Sequence, residues 1–115
     1  MIDKNIVIVS YSKEEFNYVL NLFKSREFSR STIDSYLRYV NDDGHYNDYV
    51  YPIALIVRFK LMSATWQYKD WQYKDIWDHV NYLLDGGKVD SVIDCKDFKE
   101  MGGDNYIEGI NLGLL

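Results

Sequence analysis

Hydrophobic and polar positions divide the chain into a short series of elements. Asn5 to Ser10 (NIVIVS) is a β-branched run of strand length and predicts a first strand. Ser12 follows, with Glu15 three residues later. That spacing is a capping box, in which each side chain satisfies an orphan amide of a helix's first turn. Phe16, Val19, Leu20 and Phe23 then share one helical face, so a helix is expected from Lys13 to about Lys24. Arg26 to Ser29 is polar and reads as a link. Ser31 opens a second helical pattern, with Asp34 at its third position and Ile33, Tyr36, Leu37 and Val40 at i, i+3, i+4, i+7. Asn41–Asp42–Asp43–Gly44 ends it with turn-forming residues.

Tyr49 to Lys60 (YVYPIALIVRFK) carries Pro52 near its start, which suits a strand's beginning or an edge because proline lacks an amide hydrogen. Ile53 to Phe59 is almost continuously apolar. As a strand it must be covered on both faces, which makes it the expected central strand. Trp66 to Asp75 reads WQYKD twice in tandem. Five residues match neither a helical turn nor the two-residue strand period, so a repeating architecture is not implied. Trp66, Tyr73, Ile76, Trp77, Val80, Leu83 and Leu84 nevertheless share helical spacing. A helix from about Trp66 to Asp85 is expected, closed by Gly86–Gly87, with a strand or hairpin arm as the alternative for its first half. Lys88 to Cys95 reads as a third strand, with Val89 and Val92 or Ile93 inward. Asp97 to Met101 reads as at most one helical turn, stopped by Gly102–Gly103. Tyr106 to Leu115 reads as a fourth, edge strand or a loosely docked tail over 102–115. The expected fold is α/β of the α+β type: one domain over 1–115, with a three- or four-stranded sheet and two or three helices packed mainly on one face.

Composition narrows the class. With 47% hydrophobic residues in 115, the chain suits one globular core. The sole cysteine, Cys95, excludes an internal disulfide scaffold. The N-terminal apolar run is too short for a signal peptide, and Tyr51 to Val57 is too short to span a bilayer, so a soluble cytoplasmic protein with no membrane partner is the default expectation. The net charge of -5 is unevenly placed. Residues 1–74 carry a net +1 and residues 75–115 a net -6. A negative field repels nucleic acid and attracts basic partners.

Candidate chemistry is sparse. His45 and His79 stand apart from each other and from Cys95, which gives no zinc-ligand spacing. The loop Asn41 to Asp48 holds three acids but departs from the EF-hand pattern. Cys95 has no sequence link to a base, Gly86–Gly87–Lys88 lacks the rest of a phosphate loop, and any carboxylate pair chosen would be arbitrary. No enzyme, metal or cofactor is expected. Lys24, Arg26, Arg30 and Arg38 surround the second helix, Ser31 to Val40, which has the look of a groove-binding helix. They form the nucleic-acid alternative, offset by Glu27 and Asp34.

Aromatics make up 17% of the chain, including 11 Tyr and 3 Trp, more than a core this size needs. On a helix from Trp66, Tyr68 and Trp71 fall off the apolar stripe. Flanked by Asp70, Asp75, Asp78 and Asp85, they form the expected protein-binding surface. In class, though in no named residue, such a chain resembles the stand-alone inhibitors made by phages and antitoxin-like immunity proteins, acting in the host cytoplasm. The leading expectation is an acidic inhibitor or adaptor docking on another protein with a basic surface, for example a nucleic-acid-processing enzyme. The alternatives are a homo-oligomeric structural protein, such as a homodimer, and a nucleic-acid-binding regulator.

Overall fold

The structure, a computed structural model, describes the backbone of residues 2–25, 30–41, 49–59, 61–68, 76–87 and 89–111. Its elements run β1 (Ile2–Ser10), α1 (Lys13–Ser25), α2 (Arg30–Asn41), β2 (Tyr49–Phe59), β3 (Leu61–Tyr68), α3 (Ile76–Asp85), β4 (Ser91–Asp94), α4 (Cys95–Glu100) and α5 (Gly103–Asn111). The strands form one mixed sheet in the order β3-β2-β1-β4. β1 pairs antiparallel with β2 and parallel with β4, and β2 pairs antiparallel with β3.

The two inner strands carry the core. Ile6, Ile8, Ile53, Leu55 and Val57 are buried toward one face, where α1, α2, α4 and α5 pack. Val7, Val9, Ala54 and Ile56 are buried toward the other, under Val80 and Leu83 of α3. Alternate residues of a strand point to opposite faces, so continuously apolar β1 and β2 require cover on both sides. Cover is heavier on the first face, as the sequence suggested. Pro52 lies where the β2–β3 pairing shifts register, between Val50 and Ala54, so its missing amide hydrogen falls at an interruption of the ladder.

α1 begins as its capping residues dictate. Ser12 Oγ accepts from Glu15 N at 3.2 Å, and Ser12 O accepts from Phe16 N. The Glu15 carboxylate reaches one residue further back than a standard capping box, accepting from Tyr11 N at 2.7 Å. Phe16, Val19, Leu20 and Phe23 are all fully buried. α1 and α2 are tied by a reciprocal amide pair between Asn17 and Asn41 (3.0 and 3.2 Å) and by the ion pair Lys24–Asp34 at 2.8 Å.

Three expectations are corrected. The helix expected from Trp66 starts only at Ile76. Trp66 and Tyr68 belong to strand β3, the hairpin-arm alternative, and Tyr68 pairs with Tyr49. The third strand is confined to Ser91–Asp94, because Asp94, its last extended residue, accepts from Asp97 N at 2.8 Å and so caps α4 at once. The segment expected as an edge strand or tail forms helix α5 through Asn111, with Tyr106 and Ile107 in the core. The helices therefore number five among the described residues. The link at Arg26–Ser29 lies outside the described residues, as does 112–115.

Phe98 binds the C-terminal helices to the rest. Its ring meets Tyr18 of α1 and Tyr106 of α5 edge-on, at 6.3 and 5.6 Å between centroids. Tyr106 in turn shares a 2.7 Å hydroxyl contact with Ser91 of β4. Gly103 makes this approach possible. A Cβ there would stand 2.5 Å from Leu22 Cδ2 and 2.8 Å from the Phe98 ring. Gly103→Ala should therefore overpack the α1–α4–α5 junction and destabilise the protein by about 1–3 kcal/mol, read as a lowered urea midpoint with an unchanged slope.

Candidate functional site

Only some of the residues singled out in the sequence fall among the described residues. Asp70, Trp71 and Asp75 lie outside the described residues. Tyr68 lies on the edge strand β3, and Asp78 and Asp85 lie on α3. The argument separating Tyr68 from Trp66 also falls. Positions two apart on a strand share a face, whereas on a helix they would not.

The late acids are distributed through the fold rather than gathered. Asp78 is in the first turn of α3, Asp97 in that of α4 and Asp104 in that of α5. Each is placed where a helix dipole favours negative charge. Asp94 caps α4. Asp90 accepts from Asn5 N at 2.8 Å and gives its own N–H to Asn5 O at 2.8 Å, clamping the parallel β1–β4 pair at its start. Since α3 lies on one face of the sheet and α4 and α5 on the other, these carboxylates serve local structure on both sides.

One surface stands out from this background. α3 turns Val80 and Leu83 inward, with Trp77 half-buried beside them. Its outer side presents Asp78, Tyr82 and Asp85 at i, i+4, i+7, with Asn81 adjacent, all exposed. Tyr82 is the most exposed large hydrophobic side chain among the described residues, at 59%. Asp85 occupies the helix's last position, where the dipole disfavours an acid, and the last turn holds no base. At the other end of α3, Trp77 Nε1 donates to Tyr11 Oη at 2.6 Å, and Tyr11 is itself 48% exposed. Sequence reading missed Tyr82 and Tyr11. Tyr82 was recoverable, because it stands one position off the Val80–Leu83 stripe of a helix whose second half was already assigned.

The basic alternative is only partly in view. An open groove of about 570 Å³ between α1 and α2 is lined by Lys24, Asp34, Leu37, Arg38 and Asn41. Lys24 is engaged by Asp34, while Arg38 is exposed. The side chain of Arg30 and all of Arg26 lie outside the described residues, as do the side chain of His79 and all of His45. Among the described residues, no group of three His, Cys, Asp or Glu could hold a metal ion, and no helix is long and apolar enough to cross a membrane. Compared with known proteins, the chain matches no family model, no curated protein and no solved structure.

Cys95 is fully buried at the start of α4, and its thiol donates to Glu15 O at 3.4 Å. Burial first, then the Glu15 carboxylate, push its pKa up to about 11, and the neighbouring Ser10 hydroxyl and Lys99 ammonium offset only part of this. Ser10 Oγ is itself buried without a hydrogen bond of good geometry among the described residues. A thiol held protonated is a poor nucleophile. Native protein should react slowly with thiol reagents at neutral pH and rapidly in urea. The thiol's folded-state pKa lies above its unfolded value of about 9, so its contribution is complete below that pH and is lost as pH rises toward 11. Stability should therefore fall more steeply over this range in the wild type than in Cys95→Ala, measured by urea melts. Tyr106, whose pKa is also raised by burial, supplies a residual slope of the same sign in both proteins.

Proposed function

We propose that this chain is a small, acidic, non-enzymatic protein-binding module, an inhibitor or adaptor that docks on a basic protein surface through the outer stripe of α3. The observation that carries the reading is Tyr82, exposed between Asp78 and Asp85 on one helical stripe. An exposed tyrosine presents a large, stiff contact area, and flanking carboxylates supply a polar rim that steers a cationic partner. Asp85 adds support. It stands against the helix dipole with no base in its turn, a local departure from good helix chemistry that a basic partner would relieve. The net -6 of residues 75–115 gives the long-range attraction. A nucleic-acid-processing enzyme is the natural target class, because an acidic surface can occupy the channel built for phosphates. Relative to the surface expected from sequence, the centre moves from Tyr68 and Trp71 to Tyr82, while Asp78 and Asp85 are retained.

The test is capture of a stoichiometric partner by tagged protein at low and physiological salt, followed by affinity measurement. Tyr82→Ala should weaken binding by about 2 kcal/mol, roughly thirtyfold, as for an interface hot spot. Asp78→Asn with Asp85→Asn should slow association and flatten its salt dependence. Thermal melts of each variant control for folding. Retention of full affinity by folded Tyr82→Ala, or recovery of no stoichiometric partner at either salt, would overturn the reading.

A further inference from the structure

We propose that the shelf beside α3, over the edge strand β4, seats a basic amphipathic helix presented by the partner protein. This rests on the α3 docking reading, and adds the partner's shape and the flank along which it lies.

The coverage of the sheet leaves the place open. A helix is about 10 Å wide and strands lie about 4.8 Å apart, so one helix roofs about two strands. α3 sets Val80 and Leu83 on Val7 and Val9 of β1 and on Ala54 and Ile56 of β2. Among the described residues it is alone on this face, and β4 stands one strand beyond β1, at the end of the sheet. Val92 of β4 is in register with Val7 and so looks out on the same face. Val7 is fully buried, whereas Val92 is only half-buried.

α3 turns an apolar flank toward this gap. Trp77 and Leu84, seven residues apart, lie on one line along the helix. Trp77 fixes the direction of that line. Its Nε1 donates to Tyr11 Oη at 2.6 Å, just past the end of β1, and like Val92 it packs half-buried on the cluster under α3. Leu84 is 38% exposed and Tyr11 48%, so apolar surface on the wall of the shelf is open to a partner.

Charge decides what kind of segment fits. Five residues connect Asp85 to β4, which places this exposed carboxylate, with no ion pair among the described residues, at one end of the shelf. Asp94 ends β4 at the other. The occupant needs an apolar stripe for Leu84, Trp77 and Val92 and basic groups beside it, which is the pattern of a basic amphipathic helix. Such a helix, lying beside α3, packs on helix and sheet at once, as layered folds do. β4 is a poor template for an added strand, being four residues long and ending in a charge.

The probe is a short fluorescein-labelled helix of Leu and Lys with Leu on one face, titrated with the whole chain and read by anisotropy. Its controls are the same composition in scrambled order and the same helix with Glu for Lys. The amphipathic peptide should bind, less tightly as salt rises, and each control should bind about tenfold more weakly or not at all. Leu84→Arg, at an exposed position, should keep its circular dichroism and weaken the peptide about tenfold. Tyr82→Ala, on the other side of the Asp85 line, should leave peptide binding unchanged. Should Leu84→Arg fail to fold, wild-type NMR decides: the peptide should shift the Trp77 indole and the Leu84 and Val92 methyls and leave Leu37 in the α1–α2 groove unmoved. Equal binding of the scrambled peptide, undiminished binding to folded Leu84→Arg, or shifts confined to other residues would overturn the shelf. So would self-association of the protein alone that moves the same resonances, since a second copy would then be the occupant. A captured partner weakened by Tyr82→Ala but not by folded Leu84→Arg would remove this proposal and leave the α3 reading standing.

Discussion

The structure depends on burying β1 and β2 from both sides at once. Neither strand alternates apolar with polar. Ile6 through Val9 and Ile53 through Val57 are apolar at every step, and each is at most 7% exposed. Leaving either face open would expose a continuous hydrophobic strip, so helices must lie on both sides, and the chain order decides how they are shared. α1 and α2 fall between β1 and β2 in sequence and cover one face. α3 lies between β3 and β4 and crosses the other. The last two helices return to the first face, so α3 alone covers the second among the described residues. A helix that alone closes a face commits its inner stripe to the sheet and leaves its outer stripe to solvent. This is the origin of the exposed Asp78–Tyr82–Asp85 line.

The C-terminal third shows how polar residues place apolar ones. Asp90 holds the start of β4 to β1, and Asp94 ends β4 and starts α4 without a linking residue. That immediate turn drives Cys95 and Phe98 under α1, and Phe98 then receives Tyr18 and Tyr106. Several carboxylates that give this region its negative charge are thus accounted for by the backbone groups they satisfy or the helix ends they occupy. Charge density read from sequence overstates the acid available to a partner, and position within the fold corrects it.

What was legible in the sequence was local. Ser12 and Glu15 fixed the start of α1, because a cap acts within four residues, and the stripe from Phe16 to Phe23 named its buried face. The run from Ile53 to Phe59 identified a strand covered on both sides. The β2–β3 turn was invisible, because one residue, Lys60, separates the strands and no glycine, asparagine or aspartate marks the reversal. With the strand kept only as an alternative, Trp66 fell by coincidence into phase with Trp77 and Val80, which extended α3 backward by ten residues. α5 was hidden for another reason. Gly102–Gly103 resembles a single stop, yet the two glycines have separate duties. Gly102, at φ 76°, follows the end of α4, and Gly103 must be small because Leu22 and Phe98 crowd it. Crowding between Leu22 and Gly103, 81 positions apart, leaves no mark on a sequence pattern.

The same distinction bears on which surfaces remain for other molecules. An acid that caps a helix or clamps a strand is already explained by the fold, and so is an aromatic ring enclosed by others. Asp90, Asp94, Asp97 and Asp104 are set aside on that ground, and Phe98 and Tyr106 with them. Tyr82 and Asp85 are not accounted for in this way. Tyr82 is 59% exposed and lies off the Val80–Leu83 face, and Asp85 opposes the dipole of its own helix. Their neighbour Asp78 has a helix-start role and also completes the stripe. The proposed docking on another protein therefore rests on α3, where an exposed tyrosine and a helix-opposing acid stand within two turns on the helix that alone covers one face among the described residues.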